Sequence, residues 1–303
     1  MQVLPLLSQN SENGFSAPSD KGILVSTLDY GVLMFENNTD QPLLVPCHLA
    51  YVVKQRAQDH AMAHLGVVKA HQRQVYKTAM CIQQNQIGYI SPGQYELRML
   101  PLPLRPPALA KQYERDFKKL WGEISSFNRS LGLQEMGHVE FFFHHFRREL
   151  NQFIAEFECI PKQVGAAVYI RGKLVGIERT PSHHYWQQVW QAILRDCYGS
   201  YTIYASKKWT QKMPNTRFPI LVNNIASIEE LEQKLQEANQ NEQKAVENLL
   251  PMTEELPTTQ EPTSPLPKLQ IYTTSSPQNS WQGQILLQNN KIRYASLFRK
   301  NTF

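Results

Sequence analysis

Residues 164–178 read VGAAVYIRGKLVGIE, the clearest two-strand pattern in the chain. Val168-Tyr169-Ile170 and Leu174-Val175-Gly176-Ile177 are short apolar runs of the residue types that favour strands. Between them lies Arg171-Gly172-Lys173, where Gly172 supplies the positive φ that a tight turn requires. The stretch therefore predicts a β-hairpin over Val164–Glu178.

A helical middle is predicted on the N-terminal side of this hairpin. One helix is indicated by apolar residues at i, i+3, i+4, i+7 and i+14, which are Phe117, Leu120, Trp121, Ile124 and Leu131. A richer apolar stripe from Val139 to Phe157 predicts a second helix. Both stripes are expected to pack into the core. Beyond the hairpin, Ser182 is expected to cap a further helix.

The first hundred residues predict a mostly antiparallel β-layer. Short apolar runs separated by turn residues are typical of such a layer. The predicted strands cover 23–25, 31–35, 43–53 with a break near Pro46, 75–82 and 95–102. Near the C-terminus, 284–288 and 291–298 flank Asn289-Asn290 and predict a second hairpin, which is too short to fold alone.

This C-terminal hairpin is expected to return to the sheet of the first segment. The predicted fold class is therefore α+β: a mostly antiparallel sheet, a helical middle and a returning hairpin. We expect residues 1–21 to be a flexible leader and 22–225 with 268–300 to form the α+β domain. Residues 226–267 are expected to be an acidic helix followed by a disordered linker rich in Pro and Thr.

Charge is concentrated in that excursion. Residues 226–262 hold nine Glu, no Asp and two Lys, a local charge of −7. Because the net charge of the chain is +5, the rest of the chain carries +12. A basic body attracts anions such as phosphates. Ser227 and Glu230 form a capping box, and Ser227–Leu250 predicts a helix that either leans on its own domain or docks on a protein partner.

Composition excludes several classes of protein. With 303 residues, 42% hydrophobic and 19% charged, the chain is globular rather than collagen-like or wholly disordered. It has no apolar run of membrane-spanning length and no N-terminal pattern typical of a secretory signal. Four dispersed cysteines predict reduced thiols and a cytoplasmic protein. The sequence has no stripe of Lys and Arg interleaved with aromatic residues, so nucleic acid is a less favoured partner.

Motifs that carry known chemistry are few. The sequence contains no GxGxxG, Walker loop, HExxH or GxSxG. Glu140/His144 and His145/Glu149 have the i, i+4 spacing of metal ligands, but no third ligand accompanies them, so no metal site is predicted. Cys81 lies in a predicted strand, where burial is favoured over a role as nucleophile. The residues indicate no particular cofactor.

Four stretches together resemble one family. Residues 51–56 resemble a Gly-x-Lys-Gln-x-Arg signature, and 76–89 are similar to a strand ending in Cys-Val-Glu and Arg-Trp. Residues 172–178 resemble Gly-Lys-x-x-Gly-x-Glu, and 283–298 are similar to a terminal hairpin. These features belong to a domain family named for its gene association with ADP-ribosylglycohydrolases and rhodanese–phosphatase proteins. The resemblance covers roughly 22–298, outside the acidic arm.

The resemblance implies work near ADP-ribose, NAD or related ligands. Carried over position by position, it implies ligand binding by Lys54, Gln55 and Arg56, which suit an anion, and by Cys81 and Glu178. Glu178 is either an acid/base group or an ion-pair partner within the hairpin.

This chain also departs from the pattern. Gln83 stands where the family has Glu, and Gln86-Ile87 where it has Arg-Trp. A neutral amide cannot act as a general base, so the departures favour binding over catalysis.

Three functions follow as hypotheses. The first is a cytoplasmic protein that binds an anionic, nucleotide-like ligand without clear catalytic machinery. The second is an enzyme that processes ADP-ribose or nucleotide conjugates, with Cys81 or Glu178 in the chemistry. The third is an interaction or scaffold subunit that docks through Ser227–Leu250.

Overall fold

The structure is a computed structural model, and it places most of the first two hundred residues together with the C-terminal strands. It describes residues 1–8, 14–53, 57–91, 95–208, 226–230, 232–234, 236–237, 240, 258–260, 269–274, 281–289 and 291–299.

Strands dominate both ends of the chain. In order they are β1 (Gln2–Leu7), β2 (Ile23–Asp29), β3 (Val32–Asn37), β4 (Leu43–Val45), β5 (Leu49–Val52), β6 (His60–Ala61), β7 (Gly66–Val68), β8 (Gln72–Tyr76), β9 (Met80–Cys81), β10 (Glu96–Met99), β11 (Gln163–Ile170), β12 (Lys173–Arg179), β13 (Thr258–Gln260), β14 (Leu269–Thr274), β15 (Trp281–Gln288) and β16 (Lys291–Arg299).

Helices fill the middle of the chain. The α-helices are α1 (Arg105–Ala110), α2 (Trp121–Ser130), α3 (Glu140–His145), α4 (Arg147–Ile154), α5 (His183–Gln191) and α6 (Ser200–Lys208). A 3-10 turn over Leu102–Leu104 leads into α1, and a π-helix over Ala192–Gly199 connects α5 to α6. Strands at both ends and helices between them confirm the predicted α+β class.

The largest sheet is antiparallel and has the strand order β1-β11-β12-β16-β15-β14-β13. Its β11–β12 pair is the hairpin predicted from Val164–Glu178. Arg171 has φ of 54° and Gly172 of 70°, so both turn residues are left-handed, as a two-residue hairpin turn requires. Ala166 and Val168 contribute to the main core from one face of β11.

The N-terminus differs from the expected flexible leader. Gln2–Leu7 forms β1 and pairs antiparallel with β11, with Val3 opposite Val168. Pro5 is compatible with this because β1 is an edge strand, where a residue without an N–H costs little. The prediction followed the Ser, Asn and Gly residues of the later part of this segment, whereas the apolar residues at its start form a strand.

The predicted N-terminal β-layer is divided into three small antiparallel sheets, ordered β10-β5-β6-β9, β2-β3-β8 and β4-β7. The expected strand over 43–53 is broken around Pro46, between β4 and β5, where His48 has φ of 65°. The expected strand over 75–82 is also two strands, β8 and β9. Short strands let the backbone turn around one core, which a single long strand would not.

The helical stripes were predicted with the correct faces but not the correct bounds. The stripe from Val139 to Phe157 forms two helices, α3 and α4, separated at Phe146, whose φ of −98° and ψ of 19° are not helical. Phe142, Phe146 and Leu150 are nevertheless all buried in one cluster. The predicted cap on α5 is confirmed, since the Ser182 hydroxyl accepts from the Tyr185 N–H at 3.2 Å.

The C-terminal hairpin returns to an antiparallel sheet, as predicted, and among the described strands of that sheet only β1 comes from the first hundred residues. Its strands β15 and β16 join the large sheet, where β16 pairs with β12 and places Ser296 opposite Glu178. Asn289 takes the left-handed φ of 53° at the turn. Strand β13, at 258–260, lies within the stretch predicted to be a linker.

The acidic segment is described only in part. Residues 228–230, 232–234, 236–237 and 240 are helical. Half of the predicted capping box is present, since Ser227 Oγ accepts from the Glu230 N–H, whereas the Glu230 carboxylate accepts from the N–H of Ala226, one residue before the cap. Residues 241–257, which include the end of the predicted helix Ser227–Leu250, lie outside the described residues. Among the helices that the structure describes, none is long and apolar enough to cross a membrane.

A buried arginine joins the large sheet to the helices and to the N-terminal layer. Arg105, the first residue of α1, is fully buried. Its guanidinium donates to Glu178 Oε1 on β12 at 2.7 Å and to His48 Nδ1 at 3.1 Å. It also donates to Ser296 Oγ on β16.

The π-helix completes this cluster. Cys197 Sγ lies 3.4 Å from the Arg105 guanidinium, and the Tyr198 hydroxyl donates to Glu178 Oε1 at 2.8 Å. Burial opposes the charge on Arg105, but the Glu178 carboxylate leaves its pKa well above the ordinary value. Burial, reinforced by Arg105, holds the pKa of His48 well below its ordinary range, so His48 is neutral and accepts the hydrogen bond.

Breaking this buried pair from one side is expected to destabilise the fold strongly. Arg105→Met leaves a buried carboxylate without its cation, and Glu178→Gln leaves a buried guanidinium without its anion. Each variant is expected to lose about 3–5 kcal/mol of unfolding free energy in urea titrations. The double variant is expected to lose clearly less than the sum, because no unpaired charge remains.

The matched control is Arg129→Met, which breaks an exposed ion pair of similar length, 2.8 Å to Glu135. This variant is expected to leave the unfolding free energy almost unchanged. Equal effects of Arg105→Met and Arg129→Met would contradict the role given to the buried pair.

Candidate functional site

Two adjoining surface depressions lie on either side of helix α3. The first, the arginine depression, has a volume of about 500 Å³ and is lined by Glu96, Arg98, Glu140, Phe143, His144, Arg147, Asn151 and Arg195. The second, the glutamine depression, has a volume of about 710 Å³ and is lined by Gln83, Gln86, Leu133, Gln134, His138, Glu140, Phe141, His144 and His145. Glu140 and His144 line both, so the two depressions adjoin at this part of α3, and together we call them the groove.

Two of the three arginines in the arginine depression are held by a buried carboxylate. Asp196 is fully buried and accepts from Arg98 at 3.1 Å and from Arg195 Nε at 2.7 Å. Arg98 also pairs with Glu96 at 2.8 Å, and its guanidinium carbon lies 5.3 Å from the centre of the Phe143 ring. These contacts fix the guanidinium planes before any ligand arrives.

The third arginine, Arg147, is exposed on α4 and makes no ion pair or hydrogen bond with the residues that the structure describes. Arg98 comes from β10 and Arg195 from the π-helix, so three separate elements supply the cations. A guanidinium offers a planar set of N–H donors that matches phosphate and carboxylate oxygens. The arginine depression can therefore bind an anion through several donors at once.

A glutamine forms the floor of the glutamine depression. Gln83 is 2% exposed, and its Oε1 accepts from the Asp59 N–H at 3.1 Å. This contact fixes the amide orientation, so Gln83 Nε2 donates to His138 Nε2 at 3.1 Å. Burial lowers the pKa of His138, which agrees with a neutral ring that accepts this bond.

Aromatic rings form one wall of the same depression. His138 and Phe141 stack with their ring centres 4.5 Å apart and their planes at 9°. His138 precedes α3 and Phe141 lies in its first turn, and the Phe141 N–H donates to the His138 carbonyl oxygen at 3.3 Å, which brings the two residues together. The depression thus combines amide groups with a flat aromatic surface, and no Lys or Arg is among its described lining residues.

A buried acid lies behind the floor. Asp59 is fully buried; its Oδ1 accepts from the Val53 N–H at 2.8 Å, while Oδ2 has no hydrogen-bond partner among the described residues. Burial raises the pKa of Asp59 to about 7, and the nearby Glu140 carboxylate adds to this rise. The neighbouring His60 is shifted in the opposite direction, since burial lowers its pKa to about 4.

Three of the residues predicted to bind ligand, Lys54, Gln55 and Arg56, lie outside the described residues. They follow β5 in sequence, and Val52 at the end of β5 pairs with Glu96 of the arginine depression. Their role in ligand binding stays a prediction.

Cys81 and Glu178, also predicted to bind ligand, are both buried and share no hydrogen-bond partner among the residues that the structure describes. The Cys81 thiol donates to the Gln83 carbonyl oxygen at 3.4 Å, and burial raises its pKa to about 12, so it stays protonated at neutral pH. Glu178 is 2% exposed and paired with Arg105. Their role as ligand contacts stays a prediction as well.

The hairpin motif that supports the family resemblance has a structural explanation at three of its four specified positions. Gly172 supplies the left-handed turn. Gly176 has no room for a side chain, because a Cβ there would overlap the Tyr198 hydroxyl. Glu178 accepts from Arg105 and Tyr198. These three requirements belong to the turn of the hairpin and to its packing against Arg105 and the π-helix.

The motif around Cys81 leads to the groove instead. Gln83 and Gln86, where the resemblance places a family Glu and Arg, both line the glutamine depression. Sequence reasoning used these two positions only as departures from the family pattern. In the structure they share a depression with Glu140 and His144, which were weighed separately as metal ligands.

Sequence reasoning missed the arginines. The only signals were local: Glu96 and Arg98 alternate along a strand, and Arg147 lies on the polar face of an amphipathic helix. Neither signal reveals that Arg98 and Arg147 line the same depression as Arg195, which lies about a hundred residues further along the chain than Arg98. Across the described residues, no group of three or more His, Cys, Asp or Glu is placed to hold a metal ion.

Comparison with known families gives one match. The family model described as the ARG and Rhodanese-Phosphatase-superfamily-associated Protein domain matches residues 1–261. The match starts at the first residue, before the predicted limit of 22, and ends before the C-terminal hairpin. Comparisons with curated proteins and with solved structures found no match.

Because of Asp59, the free energy of unfolding is expected to fall as pH rises towards 7, and substituting Asp59 is expected to remove this dependence. Its pKa is about 7 in the folded protein and 3.8 as the ordinary value, so the folded state binds the proton more tightly. The stability that this proton provides is complete below pH 3.8 and is lost as pH rises towards 7. Between pH 5 and 7 this loss is on the order of 2–3 kcal/mol.

Asp59→Asn removes this titration. Relative to wild type, the variant is expected to gain unfolding free energy in urea titrations as pH rises from 5 to 8. Asp116→Asn, at an exposed position, is the matched control and should show a difference that hardly changes with pH. A pH-independent difference for Asp59→Asn would show that Asp59 does not titrate in this range.

Proposed function

The chain belongs to this family, and we propose that it binds an anionic, nucleotide-derived ligand of the ADP-ribose or NAD type in the groove beside α3. The family name associates it with ADP-ribosylglycohydrolase and rhodanese–phosphatase genes. That association suggests the ligand class, while the groove supplies a chemically suitable place for it. We propose binding rather than catalysis as the primary activity.

The observation that carries the proposal is the set of three arginines in one depression. Arg98 and Arg195 are oriented by the buried Asp196 carboxylate, so little side-chain entropy remains to be lost when a phosphate binds. Arg147 adds an exposed guanidinium that no described residue neutralises. Together they offer the phosphate groups of such a ligand several N–H donors from fixed directions.

The acidic residues of the groove set a limit on the ligand. Glu96 and Glu140 also line the arginine depression, so a compact polyanion would meet repulsion there. Glu140 lies where the two depressions join, and carboxylates commonly accept hydrogen bonds from ribose hydroxyls. A ligand with phosphate, ribose and base in succession suits this distribution better than inorganic polyphosphate.

The predicted contacts Lys54, Gln55 and Arg56 are part of this proposal. They would add two cations to the ligand site, and Arg56→Ala belongs in every binding series. Cys81 and Glu178 are better tested through stability first, because both are buried and a substitution can act by disturbing the fold. The enzymatic and docking hypotheses gain no specific support from the contacts of Cys81 or of Ser227.

The test compares neighbouring arginines of one helix. Arg147 lines the arginine depression, whereas Arg148 is equally exposed but does not. Titration calorimetry with ADP-ribose is expected to show binding by wild type and by Arg148→Ala. Arg147→Ala is expected to bind about tenfold or more weakly, since a charged hydrogen bond is worth about 1.5–3 kcal/mol.

Salt and stability measurements complete the test. Affinity is expected to fall as salt rises, because exposed charges are screened. Unfolding free energies of the two variants should agree, so that loss of binding is not loss of fold. Absence of ADP-ribose and NAD binding by wild type, or equal losses in both variants, would refute the proposal.

A further inference from the structure

We propose that the glutamine depression is an adenine site: the base stacks on the His138–Phe141 pair, and the amides of Gln83 and Gln134 bind its edge. This inference rests on the proposed function and assigns one part of the ligand to the second half of the groove. The ribose would pass the Glu140–His144 junction, and the phosphates would lie in the arginine depression.

The stacked rings provide the surface. His138 and Phe141 are nearly parallel, at 9°, with centres 4.5 Å apart, and both line the depression. Burial keeps His138 neutral by lowering its pKa, so this wall carries no charge that would favour a phosphate. Leu133 adds an apolar contact. Every nucleobase has a flat face that stacks on such a surface.

The floor provides one donor in a fixed place. Gln83 Nε2 uses one of its two hydrogens on His138, and the amide cannot rotate because Oε1 accepts from Asp59. An amide nitrogen has two N–H donors, so one remains. At 2% exposure, Gln83 can offer that donor only at the floor of the depression that it lines. A ring nitrogen of a purine is a suitable acceptor.

The rim provides a donor next to an acceptor. Gln134 is exposed, and its side-chain amide makes no hydrogen bond with the described residues. A glutamine amide pairs through two bonds with the N6 and N7 positions of adenine. Guanine presents two adjacent acceptors on the same edge and cannot form the same pair. The depression therefore favours adenine over guanine.

Charge separates the two halves of the groove. Among the described residues, no Lys or Arg lines the glutamine depression, whereas three arginines line the other half. An uncharged, planar group is therefore better placed beside α3 on the glutamine side. Because Glu140 and His144 line both halves, one nucleotide can occupy both without leaving the groove.

The experiment measures the affinities of AMP, GMP and ribose 5-phosphate for the full chain. Wild type is expected to bind AMP about tenfold more tightly than GMP, and ribose 5-phosphate more weakly than AMP. Gln134→Ala is expected to remove the preference for AMP over GMP and leave ribose 5-phosphate binding unchanged. Gln152→Ala, an exposed glutamine that lines neither depression, is the matched control and should retain the preference.

A second variant tests the stack without opening a large cavity. Phe141→Leu keeps an apolar side chain but removes the ring. It is expected to weaken AMP and GMP binding by a similar factor, about fivefold or more, with ribose 5-phosphate unaffected. Far-UV circular dichroism and unfolding curves that match wild type establish that the fold is intact.

The outcomes separate this inference from the proposed function. Equal binding of AMP, GMP and ribose 5-phosphate would refute the adenine site and leave anion binding in the arginine depression standing. A preference for AMP that both Gln134→Ala and Phe141→Leu retain would place the base elsewhere and also refute the inference. No binding of any of the three, nor of ADP-ribose, would refute the proposed function itself.

Discussion

The hydrogen bonds of one buried guanidinium constrain how the layers of this protein fit together. Moving Arg105 out of water is costly unless its donors find partners. Those partners come from separate parts of the chain: His48 between two N-terminal strands, Glu178 and Ser296 on the large sheet, and Cys197 in the π-helix. The Phe298 ring, 4.7 Å from the guanidinium carbon, covers one face. The donors of Arg105 therefore find all these partners only when the N-terminal layer, the large sheet and the helices are in this one relative arrangement.

Local signals made much of the fold predictable. The Val164–Glu178 hairpin and the Ser182 cap are set by a turn residue and a side-chain oxygen that act within a few residues. Longer-range choices were not accessible. The break at Phe146 and the separation of β8 from β9 depend on which surfaces each segment meets. The return of the C-terminal hairpin to a sheet was predicted, but its pairing with β12 was not, because strand pairing across the chain follows from contacts such as Ser296 beside Glu178, which no local pattern records.

The groove was less predictable than the fold, and the reason is its origin. Arg98, Arg147 and Arg195 come from a strand, an α-helix and the π-helix, and each is unremarkable in its own segment. Resemblance to a family did point towards Gln83 and Gln86, which line the groove. It also pointed to the Gly172–Glu178 hairpin, where turn geometry, lack of space and a buried ion pair account for Gly172, Gly176 and Glu178. A motif shared within a family can therefore report either a site or the packing behind it.

The π-helix makes the length of the segment Ala192–Gly199 more important than its composition. Its consecutive residues have different neighbours: Arg195 lines the arginine depression and Asp196 orients its arginines, while Cys197 and Tyr198 contact Arg105 and Glu178. Losing one residue would restore ordinary i→i+4 bonding and rotate every later side chain by about 100°. The side chains after the deletion would then point away from the partners that they contact now. Over evolutionary time, insertions and deletions in this segment should be excluded more strictly than substitutions, so that its length is inherited more faithfully than its composition.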